Sequence, residues 1–250
     1  MNETQGPHLG VRGARGIRLR GREVARIEAF SDAVFGFAAT LLVVSLEVPK
    51  TFAELLSSLQ GFVAFAFSFT ALVAIWAVHN SFFRRYGLQD RTTVVLNAVL
   101  LFVVLFYVYP LKFLTVSLSN WLLRVVPPAG AEPRFASLND LGTLFVIYGL
   151  GFVAVFAAIA LLYAHAARPT TALDLDALER FDARTRSRHY LIFAAVGLLS
   201  MALAGAQVGL RVGAPGWTYA LLGPLCQAHA SWSERRRSRL ATADETKETK

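Results

Sequence analysis

The sequence is poor in the residues that most often carry chemistry. It has one cysteine, Cys226, which excludes an intrachain disulfide and implies no cysteine-based metal site. Its five histidines are scattered, and no two form a His-x-x-x-His pair. Gly-x-Ser-x-Gly, His-Glu-x-x-His, a phosphate-cradling glycine loop and paired aspartates in an apolar run are all missing. No enzyme activity, cofactor or resident metal is therefore expected. A carbonyl filter of the TVGYG kind is missing too. Charge is scarce: 17% of the residues are Asp, Glu, Lys or Arg, against about 25% in a soluble domain.

Apolar residues fill the space. They make up 55% of the 250 residues, nineteen of them Phe, and the mean hydropathy is +0.47. That composition belongs to an integral membrane protein. About 20 apolar residues cross a bilayer. Six stretches qualify: roughly 25–47, 58–83, 93–116, 139–163, 189–210 and 216–232. The sixth is short and contains Pro224, which a membrane helix tolerates where neighbours satisfy the freed carbonyl. The expected fold is all-α, with six transmembrane helices per chain.

The net charge of +8 could suggest nucleic acid, but its placement fits a membrane topology signal better. In a six-span chain the N-terminus, the loops 84–92 and 164–188 and the C-terminus share one side. Twenty of the twenty-five Lys and Arg fall there. Lys50, Lys112, Arg124, Arg134 and Arg211 fall on the other. The positive-inside rule then puts both termini in the cytoplasm, and five or seven spans would break the segregation. Three regions follow: a basic, Gly- and Arg-rich N-terminal arm over 1–23, a six-helix membrane domain over 24–232 and a charged tail over 233–250. The arm lacks an apolar h-region and does not read as a cleavable signal peptide. It reads as a topology-setting tail that touches lipid, with a nucleic-acid or partner contact as the alternative.

Trp121 and the two leucines after it read as an interfacial anchor, closed by a turn at Pro127-Pro128. Leu173, Leu175, Leu178 and Phe181 recur at helical spacing and predict a short amphipathic helix at the cytoplasmic interface. The polar tail is expected to be disordered beyond Leu240. An excess of Arg over Lys, with abundant Ala, points to a GC-rich bacterial genome.

Polar residues inside the spans mark the candidate site. The first span carries Ser31 and Asp32 about a third of the way in. A carboxylate in hydrocarbon costs at least roughly 2.5–3.5 kcal/mol, so it must pair, meet water or do work. At about 100° per residue, Phe37, Thr40, Leu41 and Val44 share a face, and Asp32 lies roughly 140° from Phe37. In a monomeric bundle that stripe is core or lipid-facing. Around a symmetric pore, Phe37, Leu41 and Val44 would form stacked apolar rings, with the Thr40 hydroxyl beside the narrowest. The second span adds Trp76, His79 and Asn80 near its cytoplasmic end, and the third adds Asn97 near its start. All these groups share one membrane depth. The economical pairing joins Asp32 and Ser31 to His79 and Asn97, with Arg26 nearby. Two readings compete: a structural clamp between the first three spans, and a proton relay through Asp32 and His79. The clamp is favoured because the later spans offer no continuation of a relay. The glycines of the spans, among them Gly149, Gly151 and Gly197, read as sites of close helix packing.

Arg26-x-x-x-Phe30-Ser31-Asp32 followed by AVFGFAATLLVVSL resembles the first helix of the transmembrane protein 175 family, the endosomal/lysosomal potassium channels and their bacterial relatives. Trp76-x-x-His79-x-x-Phe82, Asn97 and Pro110 extend the resemblance over roughly 24–112. It implies a potassium-selective or potassium-preferring channel in a bacterial inner membrane. The single Phe-Ser-Asp motif implies one six-helix unit per chain and a homotetramer, with the pore lined by the first helix of each subunit. Phe37 stands at the family's pore constriction, where Ile or Leu is usual, and Thr40 at its pore threonine. Leu41 and Val44 would form the outer rings. Arg26, Ser31, Asp32, His79 and Asn97 match the interhelical polar network, and Phe30 and Trp76 support the motif. The partners implied are membrane lipids and monovalent cations, with potassium as the permeant ion and no nucleic acid. The runner-up function is a proton-linked transporter using Asp32 and His79.

Overall fold

The structure, a computed structural model, describes residues 11–12, 18–21, 23–44, 50–122, 137–169 and 173–248. Most of the N-terminal arm, the Trp121 side chain, the Pro127-Pro128 turn and the Val44 side chain lie outside the described residues. Among the described residues the regular structure is helical apart from a two-stranded antiparallel ribbon, β1 (Val11–Arg12) and β2 (Arg18–Leu19).

Five long helices follow in order: α1 (Arg26–Val44), α2 (Phe52–Tyr86), α3 (Arg91–Leu122), α4 (Leu138–Ala166) and α5 (Ala177–Gly205). Two short 3-10 turns flank the four-residue α6 (Ala214–Trp217), and α7 runs over Leu222–Glu248. Among the described residues, four segments are long and apolar enough to cross a membrane: Phe65–Tyr86, Arg91–Val108, Leu138–Ala166 and Ala177–Gly205. The first helix is not among them, and carries Arg26, Glu28 and Asp32 in its first two turns.

Local chemistry fixes the helix ends. Gly87 closes α2 at φ +59°, its N–H reaching the Phe83 carbonyl at 2.7 Å, a left-handed stop that costs glycine nothing. Ser137 and Asp140 form a reciprocal capping box at the start of α4, and Asp176 and Glu179 form another at the start of α5. In α1, Ser31, Phe35, Ala38 and Leu42 are buried at spacings of four, three and four, the stripe that seats the helix on α2 and α3. The core continues through Phe82, Phe83, Tyr86, Leu100, Ile159 and Tyr163. The most extensive helix pair is α4 with α5. Glycines make it possible: a Cβ on Gly149 would meet Met201 of α5, and one on Gly197 would meet Val153 and Phe152 of α4, while Gly151 makes room in the same way for the Tyr107 ring of α3.

The C-terminal half corrects three expectations. The segment around Leu178 and Phe181 is not a separate interfacial helix. The capping box starts α5 at Ala177, and the helix continues unbroken into the apolar run after Tyr190. The stretch 216–232 lies inside a longer helical run that starts at Ala214 and passes through α6 and a 3-10 turn into α7. Gly209 and Gly213 take left-handed conformations and separate that run from α5. Pro224 falls in the first turn of α7. Helix α7 also extends to Glu248, past the point where disorder was expected.

Candidate functional site

Helix α1 presents two faces of opposite character. Ser31, Phe35, Ala38 and Leu42 face the bundle and are at most 5% exposed. Phe37, at 57%, and Leu41, at 38%, lie on the far side with the exposed Thr40. Phe30 lies on that outer side as well. A bulky phenyl ring left outside a packed helical unit is what a face meant for something beyond the chain looks like. The Thr40 hydroxyl donates to the Gly36 carbonyl at 2.9 Å. Its proton is thereby committed to the backbone, and its lone pairs point to the open side.

Behind that face, three helices meet in a buried hydrogen-bonded chain. Ser31 Oγ donates to the Ile27 carbonyl at 2.7 Å. It must therefore accept from Asn97 Nδ2, which stands 2.9 Å away. Asn97 Oδ1 is then turned to His79 Nε2 at 2.8 Å. The proton count fixes the imidazole: Nε2 carries the hydrogen and donates, and Nδ1 is the bare acceptor. Nδ1 is buried without a hydrogen-bond partner. The rings of Phe35 and Phe83 pack against the imidazole at centroid distances of 5.5 and 4.7 Å. Ser31, His79 and Asn97 are each at most 2% exposed.

Asp32 takes a different partner from the one expected. Its Oδ1 accepts from the Trp76 indole N–H at 2.7 Å, so it bonds to α2 but stands outside the His79–Asn97 chain. The sequence places Trp76 at this depth and in the motif but assigns it no partner; its indole N–H donor is the available signal. Arg26 is exposed and forms no ion pair among the described residues. Asn80 is half-buried.

A second polar layer, missed by sequence reasoning, joins the end of α2, the start of α5 and the middle of α7. Asp182 of α5 accepts from Arg85 Nη2 at 2.9 Å and from Arg237 Nε at 3.0 Å. Glu179 holds Arg20 in a two-pronged pair at 3.0 and 2.8 Å, and Arg20 also donates to the Asp174 carbonyl at 3.0 Å. Gly21 N–H reaches the Arg84 carbonyl at 3.2 Å. In the turn between α2 and α3, Asp90 accepts from the Thr93 hydroxyl and stands 2.7 Å from His165 Nε2. Burial alone would raise the Asp90 carboxyl, but the Thr93 hydroxyl and His165 outweigh it and hold the group below its ordinary value. No cluster of His, Cys, Asp or Glu that could hold a metal occurs among the described residues.

Comparison with known proteins agrees in direction. A family model described as the endosomal/lysosomal potassium channel TMEM175 matches residues 26–107. A potassium channel of Marivirga tractuosa is 41% identical over 186 residues, 73% of this chain and 75% of that protein. A potassium channel of Chamaesiphon minutus is 29% identical over 199 residues, 76% of this chain and 89% of that protein. Among solved structures, a variant of the potassium channel MtTMEM175, crystallised with a nanobody fusion, superposes with a TM-score of 0.79 at 34% identity, covering 90% of this chain and all of that one. A lysosomal potassium-selective channel TMEM175 homolog from Chamaesiphon minutus gives a TM-score of 0.51 at 25% identity over 83% of this chain and 96% of that one.

Proposed function

The chain belongs to the TMEM175 family, and from that premise we propose that it is a potassium-conducting channel whose pore is lined by α1. It is a multi-pass membrane protein, with six spans and both termini in the cytoplasm of a bacterial inner membrane. Four copies surround the pore. The observation that carries this reading is the outward face of α1: Phe37, Thr40 and Leu41 stand exposed directly behind a stripe that is wholly buried.

Two physical arguments support an assembly around water. The outward face is large and apolar, and a symmetric neighbour would cover it. Asp32 is exposed on the same helix. A carboxylate facing hydrocarbon there would cost at least roughly 2.5–3.5 kcal/mol, and one indole N–H offsets only part of that. A neighbouring subunit or an aqueous vestibule removes the conflict.

The mechanism follows from the residues on that face. Hydrated cations enter from either side and meet the Phe37 ring, which gates by dewetting. The phenyl groups turn as α1 rotates, offering their π faces to the passing ion. Thr40 presents oxygen lone pairs just beyond. Val44 continues the apolar tube outward. Potassium loses its hydration shell more cheaply than sodium, so a narrow apolar tube prefers it modestly. The Ser31–Asn97–His79 chain and the Asp32–Trp76 bond act as a clamp that sets the rotation of α1. The relay reading has less support, because Asp32 and His79 bond to different partners.

Potassium flux from proteoliposomes tests the proposal. Phe37→Ala is expected to raise passive flux, and Asp32→Asn to alter gating without abolishing it. Strong sodium preference, or no preference for cations over anions, would overturn the channel reading. Loss of a proton-coupled flux in Asp32→Asn would favour the transporter.

A further inference from the structure

A cleft of about 350 Å³ opens between the first turns of α5 and the middle of α7. It is lined by Arg180, Arg184, Arg188 and Arg236, with Phe181 and Leu240 among its walls. Its size falls within the range of about 300–1,000 Å³ typical of small-molecule sites. The three α5 arginines follow one another at four-residue spacing, about 6 Å apart along one helix face. Like charges at that spacing repel.

The α5 carboxylates nearest them are committed elsewhere. Glu179 holds Arg20, and Asp182 holds Arg85 and Arg237. Asp176 caps the helix. Glu234, on α7, forms no ion pair among the described residues, and neither does Asp174, whose carbonyl alone is used. Arg184, Arg188 and Arg236 are exposed, and Arg236 only lies over the Trp232 ring at 5.4 Å. Arg180 donates one long bond to the Leu175 carbonyl, and its Nε is buried without a partner. Four guanidinium groups thus line one open space, and none of them forms an ion pair among the described residues.

We propose that this cleft binds a phosphate-bearing anion, the headgroup of an anionic phospholipid being the source its position favours. Arg188 stands two residues before Tyr190, where the apolar run of α5 begins, so the upper arginines sit at the level of lipid phosphates. The Arg180 end reaches about 12 Å toward the aqueous side. Guanidinium forks match phosphate oxygens two at a time. Phe181 and Leu240 give the glycerol and first acyl carbons an apolar wall, which a free inorganic phosphate would not use. Because α7 supplies Arg236 and Leu240 and α5 the rest, an occupied cleft ties the two helices together. The inference uses the proposed topology only to place the cleft on the cytoplasmic side.

The test uses the full-length protein and reads binding rather than ion flux, so the site stands or fails apart from the pore. Protein from vesicles of equal phosphatidylglycerol and phosphatidylcholine is re-extracted in mild detergent, and retained lipid is measured by mass spectrometry. In a second arm, delipidated protein is titrated with pyrophosphate and its unfolding temperature followed. Retention of phosphatidylglycerol over phosphatidylcholine, lost in R184Q/R188Q/R236Q and only partly restored in R184K/R188K/R236K, which keeps the charge but not the forks, supports the lipid source. Each arginine near an anionic surface is worth roughly a fivefold factor, so the triple Gln variant should bind roughly a hundredfold more weakly. A saturable pyrophosphate shift without lipid enrichment supports the same site with a soluble source. Should the triple variant fail to fold, R184Q and R188Q carry the test singly, each with a loss of about fivefold. Equal retention of both lipids with no pyrophosphate shift, or unchanged binding in the Gln variants, overturns the proposal.

Discussion

Removing Asn97 is the sharpest perturbation of the clamp behind α1. In Asn97→Ala, His79 Nε2–H loses the 2.8 Å acceptor it has. Aromatic rings flank it, and His79 is 2% exposed, so no water replaces the bond. A buried donor left unmade costs about 1–3 kcal/mol. Ser31 loses one donor but keeps its bond to Ile27, and a helix-to-helix bond in a membrane is worth about 0.6–1.7 kcal/mol. Together the substitution should destabilise by about 2–4 kcal/mol. The assay is unfolding of the detergent-purified protein, run as a double-mutant cycle with His79→Ala. Coupling of about 1 kcal/mol is expected, because the two side chains share one bond. A loss under about 0.5 kcal/mol, or strict additivity, would refute a hydrogen-bonded clamp here.

Further outcomes follow from the polar layer at the helix ends. Asp182→Asn leaves Arg85, whose side chain is 7% exposed, without its counter-ion, and should cost about 3 kcal/mol in the same unfolding assay. Arg237 loses its charge partner too, so cleavage of α7 by trypsin should speed up. Asp90 is held below its ordinary 3.8, so its contribution is present above that value and is lost as pH falls through the depressed one. The difference in unfolding temperature between wild type and Asp90→Asn should therefore shrink as pH falls below 3.8 and vanish in strong acid. A difference that grew as pH fell would contradict the sign.

The sequence made the helices and one depth of the membrane legible, for different physical reasons. Apolar runs bounded by Gly87 and by the Ser137 cap show where α2 and α4 stop and start, because the stop signals are local. Ser31, His79 and Asn97 could be grouped because each is a polar residue at the same depth in an apolar helix. The choice among partners could not be made: whether Asp32 meets His79 or Trp76 depends on the rotation of α2 against α1, which spacing along one helix does not encode. The charged stretch at the start of α5 reads as interfacial because Leu173, Leu175, Leu178 and Phe181 recur at helical spacing among its charges. Its carboxylates are in fact used in pairs with Arg20, Arg85 and Arg237, separated by 55 to 159 residues in sequence. The break between α5 and α6 depends on two left-handed glycines, Gly209 and Gly213, and glycine alone does not announce its φ.

The claim on which the account rests is that Phe37 faces its own symmetry mates across a water-filled axis. The single native cysteine makes this directly measurable, because Cys226→Ser gives a cysteine-free background. Single cysteines placed at 37, 40, 41 and, as a control, at the buried position 42 are each treated with a charged, water-soluble thiol reagent during potassium flux from proteoliposomes. The account predicts block at 37, 40 and 41, with cross-linked oligomers at 37, and no effect at 42. Unimpeded flux at 37 together with labelling of that position by a lipid-soluble reagent would contradict it.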